Sequence, residues 1–149
     1  MNYSQLGQEK YLNENFFKNK TNGVYVDIGA HDGITLSNTK FFEELGWQGI
    51  CVEPIPEIFE KLKINRKCIC EQYAVSDEDG IGEFLVLKGW TEMLSGLANE
   101  YVQSHVNRIN AEISERGGSK EIIPINTIKL QTLLNRHNIT YIDYLSVDT

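Results

Sequence analysis

The sequence predicts an α/β protein built on a doubly wound, mostly parallel sheet. Three observations carry this. Short apolar runs rich in β-branched residues alternate with amphipathic stretches over the first half of the chain, the order expected of strand–helix–strand units. One such run, "VYVDIGAHDG", passes from strand character straight into a glycine-bracketed turn. A second, "GICVEP", stops at an acid and a proline just before another amphipathic stretch.

Taken in order, residues 4–18 read as a helix, with Leu12 and Phe16 four apart on one face, and "NKTNG" breaks it. Residues 24–28 form the first strand, apolar enough to be buried on both faces. Residues 35–45 read as a helix carrying Leu36, Phe41, Phe42 and Leu45, ended by Gly46. Residues 49–54 form the second strand. Pro56 suits the first turn of the helix over 57–66, whose inner face is Ile55, Phe59 and Leu62. Residues 68–75 form the third strand, and residues 82–87 a short strand able to make a hairpin with it across "SDEDG". The stretch "KGWTEMLSGLANE" has no clean period and reads as a loop or lid carrying Trp90 and Met93. Residues 100–115 form an amphipathic helix with Val102, Val106, Ile109 and Ile113 on one stripe, closed by Gly117 and Gly118. "EIIPINTI" is strand-like, and Pro124 confines it to an edge or an irregular connection. "LQTLLNRHN" is a short helix and "YIDYLSVDT" the last strand. A chain stopping on a buried strand leaves an apolar edge. The expectation is a partner strand from a second copy, giving a dimer or larger, or from a longer protein.

Length sets a single domain over residues 1–149. The net charge of −7 argues against a free-standing nucleic-acid binder, which carries a basic footprint. No apolar run is long enough to span a bilayer, and "MNYSQLGQEK" lacks the basic segment and apolar core of a signal peptide. The expected location is cytoplasmic, with no nucleic-acid or membrane partner. The three cysteines, Cys51, Cys68 and Cys70, have no disulfide-framework spacing and read as small apolar fillers in strands; no metal site is expected.

The turn after residue 28 decides the ligand. Parallel sheets bind ligands at the carboxyl ends of their strands. Gly29 and Gly33 let the backbone approach a ligand closely, and a helix starting near Ile34 would aim free N–H groups into the same crevice. A phosphate-cradling loop needs Lys and then Ser or Thr after its second glycine, but Ile34 and Thr35 follow Gly33. A dinucleotide fingerprint needs a middle glycine that "GAHDG" lacks. Asp32 is a poor neighbour for a pyrophosphate and a good one for a cation. S-adenosylmethionine carries a sulfonium and an ammonium and no phosphate. Asp27 and Asp32 suit its methionine end, Glu53 its ribose hydroxyls, and Val75, Ser76 and Asp77 the surroundings of its adenine.

The strings "VDIGAHDG", "SNT", "GICVEP" with a helix closing on "NR", "AVSD" and "IDYLSVDT", with "SQLGQEKY" at the front, resemble the FkbM family of S-adenosylmethionine-dependent methyltransferases. The resemblance runs from about Ser4 to Thr149. It implies the N-terminal part of a seven-stranded Rossmann-like methyltransferase sheet, with the four long strands as its first four. "SVDT" aligns with the start of an Asp-x-Glu-Gly motif, so the domain is expected to be C-terminally incomplete. The cofactor site it implies comprises Asp27, Gly29, Ala30, Asp32, Gly33, Glu53, Pro54, Ser76, Asp77 and Asp148. The implied reaction is O-methylation of a small-molecule or sugar hydroxyl. No residue stands out as a general base; His31, Asp32 and Asp148 are candidates by location alone, and the place of Gln5 and Gln8 is open. The rival readings are a truncated cofactor-binding or interaction module without activity, and half of a nicotinamide-dependent oxidoreductase.

Overall fold

The computed structural model describes residues 2–89, 95–97 and 103–149. Its elements run α1 (Gln8–Asn15), β1 (Val24–Ile28), α2 (Lys40–Glu44), β2 (Gln48–Val52), α3 (Pro56–Asn65), β3 (Ile69–Glu71), β4 (Ala74–Val75), β5 (Gly80–Lys88), β6 (Gly96–Leu97), α4 (Gln103–Arg116), β7 (Ser119–Ile128), α5 (Leu130–Arg136) and β8 (Tyr144–Val147). The first sheet has the order β3-β2-β1-β8 and every pairing in it is parallel. This is the α/β architecture with a parallel sheet that the alternation predicts.

Alternation along β2 sorts its side chains to two faces. Cys51 joins Tyr25, Ala30, Phe42, Trp47, Phe59 and Leu62 on one face. Ile50 and Val52 meet Ile128 of β7 and Leu133 of α5 on the other. Helices therefore cover both sides of the sheet. Fully burying Phe42 alone contributes about 1.5–3 kcal/mol, and its ring lies 5.5 Å from Phe17 and 5.4 Å from Tyr144, so α2 is fastened to segments near both ends of the chain.

Local side-chain chemistry overrides several expectations. The helix expected over 35–45 survives only as α2. Upstream, the Asp32 carboxylate accepts the N–H groups of Ile34 and Thr35 at 2.9 and 2.7 Å and the Thr35 hydroxyl at 2.6 Å. The Ser37 hydroxyl accepts the N–H of Thr39 and of Lys40. These bonds give the backbone an alternative to helix, and Leu36 takes a left-handed φ of 55° that no helix tolerates. The first helix is shorter than expected because Gly7 enters it at φ 69° and residues 3–4 fold back onto the buried Glu9. Leu12 packs inward, but Phe16 is 74% exposed and Phe17 takes the place expected of it, 4.9 Å from Trp47.

The region expected as one strand over 68–75 divides. β3 pairs with β2, whereas β4 belongs to a second sheet of order β4-β7-β5-β6. The strand expected over 82–87 does not fold back on it; β5 pairs antiparallel along its length with β7. β7 is thus an interior strand, not an edge. Pro124 is tolerated because β4 meets β7 only at Thr127 and Ile128, leaving that side of Pro124 without a ladder. Phe84, Val86, Leu97 and Ile125 of this sheet pack with Ile55, Ile58 and Ala74, joining it to the start of α3. In α4 Ile109 is buried, as the stripe predicts; Val102, and the expected lid residues Trp90 and Met93, lie outside the described residues. On the β8 edge Leu145 and Val147 are exposed. No helix among the described residues is long and apolar enough to cross a membrane.

Candidate functional site

Where β1 and β2 end, the chain turns twice against the same carbonyl. The N–H groups of Gly29 and Ala30 both donate to the Val52 carbonyl, at 2.9 and 3.0 Å. Gly29 adopts φ 76°, and a Cβ there would collide with the backbone oxygen of Asp148 at the end of β8. Only glycine meets both conditions. Gly29→Ala is accordingly expected to lower stability by about 1–3 kcal/mol from the dihedral alone, read as a reduced urea midpoint; an unchanged midpoint would show that the turn relaxes to a conformation alanine accepts.

Beside this turn opens a cavity of about 430 Å³, within the size range of small-ligand sites. Asp27, Gly29, Ala30, Glu53, Pro54 and Asp148 line it, so the structure brings these expected residues together. His31 lines it as well. Asp32, Gly33, Ser76 and Asp77 are not among the lining residues. Asp32 is spent on the turn, where, against some desolvation, the Thr35 hydroxyl and the Ile34 and Thr35 N–H groups hold its carboxyl below the usual range. Gly33 faces α3: a Cβ there would lie 2.6 Å from Arg66 Cγ and 2.7 Å from Leu62 Cδ1. A side chain has no room there, and the backbone is left-handed at φ 80°. Ser76 donates its N–H to the Ile128 carbonyl and its hydroxyl to Asp77, which is exposed. Of the three residues expected on that wall Val75 lines the cavity, with Tyr73 and Ala74 beside it. Nor does the helix expected to start near Ile34 aim its N-terminus into the crevice, because α2 starts only at Lys40.

The acids are held in different ways. Asp27 is 4% exposed. Burial pushes its carboxyl up; the Thr39 hydroxyl, donating at 2.5 Å, the Arg66 guanidinium and the Ser146 hydroxyl oppose that. Glu53 is 5% exposed, and its two oxygens accept the N–H groups of His31 and Ile55, each at 3.0 Å. Both oxygens are thereby fixed in direction beside the cavity. Asp148 is exposed, with its N–H tied to the Ile28 carbonyl. No lysine or arginine lines the cavity among the described residues. Three carboxyl groups without a cation suit a positively charged guest and disfavour a phosphate.

Arg66 organises the loop at the mouth. Its guanidinium donates to the Gly33 carbonyl, the Ser37 and Thr39 hydroxyls and the Tyr25 hydroxyl, and its Nε pairs with Glu43 at 3.0 Å. Thr35, Leu36, Ser37 and Asn38 of that loop line the cavity. Asn38 donates to the Ser146 hydroxyl and accepts from the Gln8 amide at 3.1 Å. The N-terminal segment therefore lands on the site through Gln8. Sequence reasoning missed the loop, Tyr73, Phe84 and Leu97 as lining residues; the only prior signals were "SNT" and "SQLGQ".

A family profile described as the Methyltransferase FkbM domain matches residues 27–149. The match begins at Asp27 and includes every residue that lines the cavity; Gln8 lies before it. No curated protein and no solved structure gives a significant match.

Proposed function

Because this chain belongs to the FkbM methyltransferase family, we propose that its cavity binds S-adenosylmethionine and directs methyl transfer to the hydroxyl of a small molecule or sugar. The observation that carries the reading is the union of Asp27, Glu53 and Asp148 around a glycine turn with no lysine or arginine on the described walls. Such a donor set fits a ligand with a sulfonium, an ammonium and a ribose diol. Glu53 is the residue for the diol, since both its oxygens are already fixed in direction by backbone N–H groups. Asp27 and Asp148 supply negative potential for the methionine end. Tyr73, Ala74, Val75, Ile55 and Phe84 offer the apolar wall for a flat base.

Bound there, the cofactor would supply a methyl carbon already activated for displacement by an acceptor hydroxyl, whose proton would need a place to go. What the chain contributes is alignment and exclusion of water. His31 and Asp148 line the cavity and are the groups placed to receive the proton.

Calorimetric titration tests the reading. S-adenosylmethionine and its demethylated product are expected to bind with similar affinity, and NAD not to bind. Binding of NAD alone would overturn the assignment. Cofactor binding with no methyl passed to any hydroxyl acceptor would support a cofactor-binding module instead.

A further inference from the structure

The three cysteines gather on one face of the parallel sheet. Cys51 lies within β2, is fully buried and belongs to the core around Tyr25, Phe59 and Leu62. Cys68 stands just before β3, and its sulfur lies 3.5 Å from that of Cys51. Cys70 is the register partner of Cys51 across the strands, yet its sulfur is turned to the Cys68 carbonyl at 3.6 Å. The direct sulfur–sulfur contact therefore runs on the diagonal, from Cys68 to Cys51.

Access differs between the two. A second cavity of about 580 Å³ opens at the amino ends of β1 and β2, away from the site above, and Cys68 lines it with Glu43, Trp47, Lys67 and His137. Cys51 does not line it and sits behind Cys68. Charge also differs. The Cys51 thiol, then Cys70, and further the Arg66 guanidinium favour the thiolate on Cys68 against its burial, while Cys51 and Cys70 are pushed up. A half-buried sulfur on a cavity wall, with a buried thiol in contact behind it, is the arrangement of a reactive and a resolving cysteine.

We propose that Cys68 and Cys51 form a peroxide-sensitive pair that closes to an intramolecular disulfide. The Cys68 thiolate attacks one oxygen of hydrogen peroxide, the oxygen–oxygen bond breaks, and the departing hydroxide takes a proton to leave as water. Cys68 is then a sulfenic acid. The Cys51 sulfur attacks the Cys68 sulfur, the sulfur–oxygen bond breaks, and a second water leaves with the Cys51 proton. Two thiols are oxidised by two electrons and one peroxide is reduced. The sulfurs must approach from 3.5 Å to about 2 Å, with Cys68 and the short segment before β3 moving toward β2.

The site is independent of the proposed methyl transfer, and so is its test. The reduced chain is treated with equimolar hydrogen peroxide, alkylated with iodoacetamide, digested and mapped by tandem mass spectrometry. The expected product is a monomeric chain with Cys51 linked to Cys68, Cys70 alkylated, and the link reversed by dithiothreitol. Cys70→Ser is expected to keep the link and Cys68→Ser to abolish it. A bridge that uses Cys70, a bridge between chains, Cys68 carried on to sulfinic acid, or all three thiols alkylated after peroxide would each overturn the proposal. Because the mapping is done on the unaltered sequence, misfolding of a variant cannot decide it.

Discussion

Asp27→Asn is expected to weaken S-adenosylmethionine binding about thirtyfold while leaving the fold as stable as before, or more so, at neutral pH. The two halves have one cause. Asp27 is buried and its carboxyl is pushed up by desolvation, so the charged form is costly in the folded state. Asn keeps an oxygen to accept the Thr39 hydroxyl and removes that cost. It also removes the negative charge offered to a cationic ligand; losing about 2 kcal/mol of such an interaction is roughly thirtyfold in affinity.

The pH dependence fixes the sign. For an acid whose folded pKa is raised, the folded state binds more protons than the unfolded state between the two values. Stability therefore falls as pH rises from the ordinary carboxylate range through the folded value. The wild-type chain is expected to lose stability relative to Asp27→Asn across that rise, and the gap to close on acidification. Parallel thermal melts from about pH 4 to pH 8 measure this, with calorimetry for the cofactor. A variant that loses stability at every pH and binds the cofactor normally would make Asp27 a structural residue alone.

Much of this site was legible before the structure, and the rest has physical reasons for staying hidden. The first strand was readable because five consecutive residues, Val24–Ile28, carry their burial in their composition. Pro56 at the first turn of α3 announced that helix, and Glu53 followed from the strand before it. The loop over 35–39 was not readable. Its helical periodicity is genuine, but Asp32 and Ser37 take the N–H groups a helix would need, and periodicity is blind to that competition. The division of residues 68–75 was hidden for another reason. Membership of a sheet is a long-range property, and β4 is claimed by β7 more than forty residues later. The same long-range pairing makes β5 and β7 partners and places Pro124 where only one neighbour runs past it. Gly33 shows the converse: a glycine with the right spacing for a ligand turn is in fact required by the proximity of α3.

That proximity leads to Arg66, where the largest stability effect is expected. Arg66→Met should lower stability by about 3 kcal/mol. Its side chain is fully buried and Glu43 is nearly so. Removing one partner of such a pair costs about 3–5 kcal/mol, because the remaining charge keeps its desolvation without its attraction. The lower end applies here, since Lys40 still reaches Glu43 at 2.9 Å. For a domain of this size the change corresponds to a fall in Tm of roughly 10 °C. The loop should suffer more than the sheet. The Gly33 carbonyl and the Ser37 and Thr39 hydroxyls lose a common donor, and Thr39 is the donor that steadies Asp27. Cofactor affinity is therefore expected to fall even at temperatures where the variant is fully folded. Arg66→Lys separates charge from shape. It keeps a cation near Glu43, but a lysine lacks the planar fork that spans the Tyr25 hydroxyl and the Gly33 carbonyl together. It should recover much of the Tm and little of the affinity. Recovery of both by lysine would mean that charge alone matters at this position; recovery of neither would mean that the fork, and the loop it gathers, also holds up the fold.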